Sequence, residues 1–288
     1  MILRLRRITY MRRRDGMFRM MRTIHSRKAE VYCVQPVLRA ILCSMRIGVY
    51  GLGRFGSFWA GCLSAAGCEV IAYSRSEHPL PSGVKRASEE EVLSADYLFY
   101  CVAISSFEEV LKRTVPMIGE NTVVMDTCSV KIYPRQWMIE NVNPSNFMIA
   151  VHPMFGPDSG AHGLDGLPVV MCPVTTTEDP RYEKVRDLFK SMKLEVLEMS
   201  AEKHDEEAAY SQGVTHFVGR VLHEMGMKPT PIATQGYKSL MTIVEQTCND
   251  PVQLFYDLQR YNPYAREMRL SLQVAIEKVI NALRREEN

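Results

Sequence analysis

Residues 46–73 read RIGVYGLGRFGSFWAGCLSAAGCEVIAY, and the fold turns on this stretch. Arg46–Tyr50 is a short run with Ile47 and Val49, suited to a buried strand. Gly51, Gly53 and Gly56 then form G-x-G-x-x-G, with Leu52, Arg54 and Phe55 between them. Small and apolar residues follow at helical spacing from Phe55 to Ala66, and Gly67 suits a helix stop. Glu69–Tyr73 is a second strand. A strand before the glycines and a helix opened by them is the context that makes this motif informative. Gly51 makes the tight turn, Gly53 lets backbone approach a pyrophosphate, and Gly56 lets helix and strand pack closely. The free N–H groups at the helix N-terminus face the phosphates.

The end of the second strand bears on the choice of dinucleotide. An Asp or Glu there would bind the ribose hydroxyls of NAD, but this chain has Ser74, Arg75 and Ser76. No acid repels a 2′-phosphate at that place, and Arg75 can pair with one. NADP is therefore expected in preference to NAD. Val102, after the next apolar run, is placed with the cofactor-binding residues.

The alternation continues. Asp96–Ala103, Asn121–Thr127, Phe147–His152, Leu167–Pro173 and Leu194–Met199 read as further strands, with a helical stretch after Ala103. This implies an α/β fold, a Rossmann-like, doubly wound and mostly parallel sheet. Ligands of such sheets gather at the carboxyl ends of the strands, so Asp126–Lys131 (DTCSVK) and His152 are both expected to face the cofactor. After Met199 the strand signals fade. One long helix is expected from Ser200 to Gly226, then three more segments of helical period. The expected domains are 45–199 for dinucleotide binding and 200–288, all-helical, for substrate binding and dimerisation.

Net charge is unevenly spread. Residues 1–44 carry eleven Lys and Arg against two acids, a net of +9; the rest carries 24 basic and 31 acidic residues, a net of −7. The basic segment is consistent with a targeting peptide, with an arm for anionic surfaces, or with a translated or disordered extension ahead of Met45. The last reading is preferred, and nucleic acid is not an expected partner. No run of eighteen apolar residues occurs, so no membrane span is expected. None of the eight cysteines forms C-x-x-C, which favours reduced thiols in a cytoplasmic protein and no metal site.

Val151–Gly163 reads VHPMFGPDSGAHG. Pro153 and Pro157 exclude a regular helix, and the glycines permit unusual backbone angles, so this is a shaped loop that begins with a histidine. Together with GLGRFG, DTCSVK, SQGVTH and the tail IVEQTCNDPVQLFYDLQRYNP, it makes the chain resemble prephenate and arogenate dehydrogenases. The resemblance spans Met45 to about Tyr264. It implies NADP-dependent oxidative decarboxylation of prephenate or arogenate in tyrosine biosynthesis by a homodimer joined through its helical domain. It identifies His152 as the catalytic base and Ser129 as the serine that hydrogen-bonds it and the substrate hydroxyl. His216 and Gln212 belong to the substrate pocket.

The chain departs from the family pattern at the arginine that clamps a substrate carboxylate, absent from DPVQLFYDLQ; the expected substitute is Lys238, Arg260 or a residue of a second subunit. At the loop position where an acid goes with arogenate stands His162, which favours prephenate. There is no room in 1–44 for a fused mutase bundle, nor after the last helix for a regulatory domain, so a monofunctional enzyme is expected. Two other readings compete: a non-catalytic NADP-binding sensor, and an imine or hydroxyacid reductase of the same plan. Ser129 and His152 together argue against the first, and the lack of a matching helix lysine against the second.

Overall fold

The structure is a computed structural model that describes residues 45–286. Eight strands form one sheet in the order β3-β2-β1-β4-β5-β6-β7-β8. They are β1 (Arg46–Tyr50), β2 (Glu69–Tyr73), β3 (Val84–Arg86), β4 (Tyr97–Tyr100), β5 (Val123–Asp126), β6 (Met148–Pro153), β7 (Pro168–Pro173) and β8 (Glu195–Glu198). Helices α1 (Arg54–Ala65), α2 (Glu89–Leu93), α3 (Ile104–Thr114), α4 (Ile132–Asn141) and α5 (Pro180–Ser191) connect them. Strand order reverses between β1 and β4, which creates the crevice where ligands of such sheets bind.

β4 shows why the strands read as unbroken apolar runs. Its four residues, YLFY, are all buried. Phe99 packs against Trp59 of α1 and Phe189 of α5 at 5.8 and 6.4 Å between ring centroids. Tyr100 points the other way, onto Phe107 of α3 at 5.5 Å. Helices cover both faces, so both sets of alternating side chains leave water.

The sheet is mostly parallel, as expected; one pairing is the exception, since β6 and β7 run antiparallel, with His152 opposite Val170. A parallel partner needs a crossover, usually a helix. The connection between β6 and β7 is the Pro- and Gly-rich loop itself, which cannot form that helix, so the chain turns back beside β6.

After β8 the chain is helical: α6 (Ala201–Ala208), α7 (Val214–Glu224), α8 (Gln235–Asn249), α9 (Val252–Tyr261) and α10 (Ala265–Glu286). The long helix expected from Ser200 to Gly226 is α6 and α7 joined through one π-helical turn at Ala209–Gly213. All the described residues fall within one compact unit. Two acids fasten these helices to the sheet layer. Asp257 of α9 accepts from the backbone N–H and hydroxyl of Ser105 at the start of α3, at 3.1 and 3.0 Å. Asp205 of α6 accepts from the N–H groups of Lys131 and Ile132 at the start of α4, at 2.7 and 2.9 Å. Each carboxylate satisfies helix N–H groups that have no partner within the helix, and meets the positive end of its dipole. Among the described residues, no helix is long and apolar enough to cross a membrane.

Candidate active site

A cavity of about 620 Å³ opens where the carboxyl ends of the strands meet the later helices. Its sheet side includes Gly53, Val102, Ser129 and His152; its helical side includes Gln212, His216, Thr247 and Asp250.

The glycine loop has the shape of a dinucleotide cradle. Gly51 has φ +105°, which only glycine adopts without strain, and its N–H donates to the Tyr73 carbonyl of β2 at 2.8 Å. A Cβ on Gly56 would lie 1.9 Å from the Gly51 carbonyl oxygen, so helix and loop touch there. A Cβ on Gly53 would meet nothing within 4 Å. Gly53 is the N-cap of α1 and offers no side-chain cap to the first helical N–H groups. Open space before free donors at a helix N-terminus fits a pyrophosphate.

His152 is held from behind. β5 stops at Asp126, level with Ala150 of β6, so the next β6 residue, Val151, pairs with β7 on one side but has no strand on its β5 side. Side chains take over. Asp126 accepts from the Val151 N–H at 3.1 Å, and the Lys131 ammonium donates to the Val151 carbonyl at 2.7 Å. Asp126 and Lys131 are fully buried, ion-paired with each other, and Asp126 also accepts from the Cys128 N–H at 3.0 Å. Buried backbone groups must be paired. Here the pairing also fixes the residue that carries His152. Asp126 and Lys131 therefore do not face the cofactor, as their place after β5 suggested; they lie beneath the site and brace it.

His152 is only 2% exposed, and its Nδ1 lies 2.8 Å from Nε2 of His204. His204 in turn places Nδ1 2.8 Å from the Asp205 carboxylate. Burial, then the neighbouring His204 and Lys131, hold the His152 imidazole well below the usual histidine range, so it is neutral at neutral pH. Burial also lowers His204, against the pull of Asp205.

The helical wall differs. Gln212 and His216 lie one turn apart around the π-helical turn, and such bulges often re-aim side chains at functional sites. Gln212 Oε1 and His216 Nδ1 are buried without a hydrogen-bond partner. Burial and the nearby Arg220 lower His216 to about 4.

Most of the expected residues come together. Gly53, Arg54, Phe55, Gly56, Val102, Ser129, His152, Gln212 and His216 all line the cavity. Ser129 shares that lining with His152, whose imidazole hydrogen-bonds His204 through Nδ1. Arg54 is engaged: its guanidinium bridges Asp158 of the loop after β6 and Asp250 after α8, each at 2.6 Å. Leu52 is buried under the loop. Ser74, Arg75 and Ser76 sit at the end of β2, with Arg75 and Ser76 exposed. His162 and Lys238 are exposed and outside the cavity lining. His204 and Asp205 are not among the residues expected at the site from the sequence. A signal existed: Ala201, His204, Asp205 and Ala208 all fall at the spacing of one helix face, and all four are buried.

The comparisons with known proteins agree with this geometry. The family profile described as prephenate dehydrogenase, nucleotide-binding domain, matches residues 71–198, and a profile described as TYRAAT1-like, C-terminal domain, matches 221–288. Arogenate dehydrogenase 2, chloroplastic, from Arabidopsis thaliana is 37% identical over 248 residues, covering 82% of this chain and 69% of the relative. Arogenate dehydrogenase 1, chloroplastic, from the same plant is 34% identical over 247 residues, but the match spans only 38% of that longer protein. Among solved structures, prephenate dehydrogenase from A. aeolicus, in complex with hydroxyphenyl propionate and NAD+, superposes with a TM-score of 0.62 at 20% identity, covering 84% of this chain and 90% of that one. With a nucleotide-binding sheet, a buried histidine at its carboxyl edge and these relatives, the chain belongs to the prephenate and arogenate dehydrogenase family, NAD(P)-dependent oxidoreductases of tyrosine biosynthesis.

Proposed function

We propose that this chain oxidatively decarboxylates a cyclohexadienyl substrate with NADP, using His152 as the base, and that it prefers arogenate to prephenate. The observation that carries the chemistry is the neutral, buried His152 at the cavity wall, braced by Asp126 and Lys131 and engaged by His204 at one ring nitrogen only. NADP, when bound, supplies the hydride acceptor. The residues 45–199 hold it: Gly51, Gly53 and Gly56 with the N-terminus of α1 take the pyrophosphate, and Ser74, Arg75 and Ser76 take the 2′-phosphate. Arg75 is exposed at the end of β2, with no acid among these three residues, which supports NADP over NAD.

His152 takes the ring hydroxyl proton as the hydroxyl carbon gives up its hydride, leaving a carbonyl. The bond to the ring carboxylate then breaks. Its electron pair aromatises the ring and arrives on the oxygen, carbon dioxide departs, and the oxygen takes its proton back from His152. No net proton is consumed. Ser129 holds the hydroxyl beside the base. Gln212 and His216 of 200–288 face the rest of the substrate.

Wall charge supports arogenate. Asp158, Asp250 and Asp257 line the cavity against the one guanidinium of Arg54, while His152 and His216 stay neutral. Arogenate carries an ammonium where prephenate has a ketone, so this wall repels it less. The Gln212 oxygen, lacking a donor, suits that ammonium. His162 does not contest this, since it lies outside the cavity lining.

The test is NADP reduction by purified protein with each substrate. Turnover with arogenate above prephenate is expected; no turnover with either, while NADP still binds, sinks the reading. We also propose a homodimer through the helices. Ile276, Val279, Ile280 and Leu283 share one face of α10 and are 42–61% exposed, which favours a partner surface. A monomeric mass in solution at micromolar concentration would refute it. The expectation of a cytoplasmic protein stands beside relatives named chloroplastic, and a fluorescent fusion of the full chain decides between them. The basic segment 1–44 lies outside the described residues.

A further inference from the structure

We propose that His204, oriented by Asp205, is a positioning residue that sets the proton arrangement of His152, so that Nε2 of His152 meets the substrate hydroxyl as a lone pair. The inference rests on the reading of His152 as the base, and follows from the direction of the hydrogen bonds. Asp205 is fixed first: its two oxygens accept the Lys131 and Ile132 N–H groups at the start of α4. A carboxylate only accepts, so the His204 nitrogen 2.8 Å away, Nδ1, carries the proton. A neutral imidazole has one donor and one acceptor nitrogen, so His204 Nε2 is an acceptor. The His152 nitrogen 2.8 Å from it, Nδ1, must then donate. That leaves Nε2 of His152 without a proton. The ring planes cross at 66°, an edge contact compatible with a bond through the ring nitrogens.

The surroundings keep this arrangement. His152 meets His204 from α6 and Lys131 from the loop after β5; His204 meets Asp205, Lys131 and Asp126. On β7, burial pushes the Cys172 thiol up to about 12, so it adds no charge. When His152 takes the substrate proton, Nδ1–H still points at His204, and the carboxylate of Asp205 stands behind it. Without His204, nothing in this chain of bonds selects the Nδ1–H form, and the Nε2–H form presents a donor to a hydroxyl that must lose its proton.

Two variants separate positioning from packing. His204→Phe removes the acceptor and keeps a ring; His204→Gln places an amide oxygen near where Nε2 was. Asp205 is unsuited to the test because it also caps α4. On full-length protein labelled with ¹⁵N-histidine, two-bond ¹H–¹⁵N spectra near pH 7 should show His152 protonated at Nδ1 in the wild type and in His204→Gln. His204→Phe should shift it toward Nε2–H. In turnover, His204→Phe should lower kcat about a hundredfold, with KM for substrate and Kd for NADP within about threefold, and His204→Gln should recover at least about tenfold of that. Wild-type His152 protonated at Nε2 would overturn the proposal. So would kcat of His204→Phe within twofold of wild type, or parallel loss of kcat, NADP binding and thermal midpoint in both variants. If the tautomers are as expected and only turnover is missing in the wild type, the assignment of function fails instead.

Discussion

On the sheet side of the cavity, the buried polar groups that support His152 are partnered. Asp126 and Lys131 hold each other and both backbone groups of Val151, and Asp205 holds His204, which holds His152. On the helical side, Gln212 Oε1 and His216 Nδ1 are buried with nothing to bond. An unmade buried hydrogen bond costs on the order of 1–3 kcal/mol, so the second wall is less stable than it would be with apolar groups. The contrast separates two tasks. A wall that positions a base needs every neighbour fixed in advance. A wall that binds a polar molecule leaves positions for that molecule to fill.

The comparison breaks most visibly at Lys131. Lys131→Ala leaves Asp126 buried without its countercharge and frees the Val151 carbonyl, so about 3–5 kcal/mol of stability should be lost in urea unfolding. A loss under 1 kcal/mol would mean that the buried pair does not brace β6. The glycine loop gives a smaller and sharper contrast. Gly56→Ala, with its Cβ against the Gly51 oxygen, should cost about 1–3 kcal/mol. Gly53→Ala has room for its Cβ, so stability should hold within about 0.5 kcal/mol while NADP affinity, read by titration, falls.

Much of this could be read from the chain. β1 and β2 fall where the glycine motif and its flanks put them, and the histidine before Pro153 stands at the cavity. Helices α4 and α5 and the short β3 were not anticipated; α4 contains Pro134 inside its first turn and has no clean apolar stripe. Lys131 and Asp126 look like loop charges in the sequence. What buries them is the backbone of Val151, 20 residues or more away in the chain, left unpaired because β5 is shorter than β6. Likewise Asp205 is one acid among several in KHDEE, and only its meeting with the start of α4 distinguishes it. Lys238 and His162 were expected from their position in a motif; both are exposed and outside the lining of the cavity that holds His152.

Acid should expose the cost of the neutral histidines. His216 is held at about 4 in the fold against about 6.5 when unfolded, so the unfolded chain binds more protons between those values. Stability is therefore full above pH 6.5 and falls as pH drops toward 4; His152 and His204 shift in the same direction and add to the fall. Chemical unfolding at pH 7.5, 5.5 and 4.5 should show this slope, and His216→Asn should flatten part of it. An unchanged slope would remove His216 from the account. The smallest effects belong to His162→Ala and Lys238→Ala, each expected within about 0.5 kcal/mol in stability and twofold in kcat/KM. A tenfold loss at Lys238 would place it in a partner's site.

The division of labour between the two walls is tested most directly by steady-state kinetics of two variants with arogenate and NADP. His152→Asn should lower kcat by about 10²–10⁴-fold with KM for arogenate within about threefold. Gln212→Leu should raise that KM about tenfold with kcat within about twofold. The account is contradicted if His152→Asn keeps more than a tenth of wild-type kcat, or if Gln212→Leu loses kcat with KM unchanged.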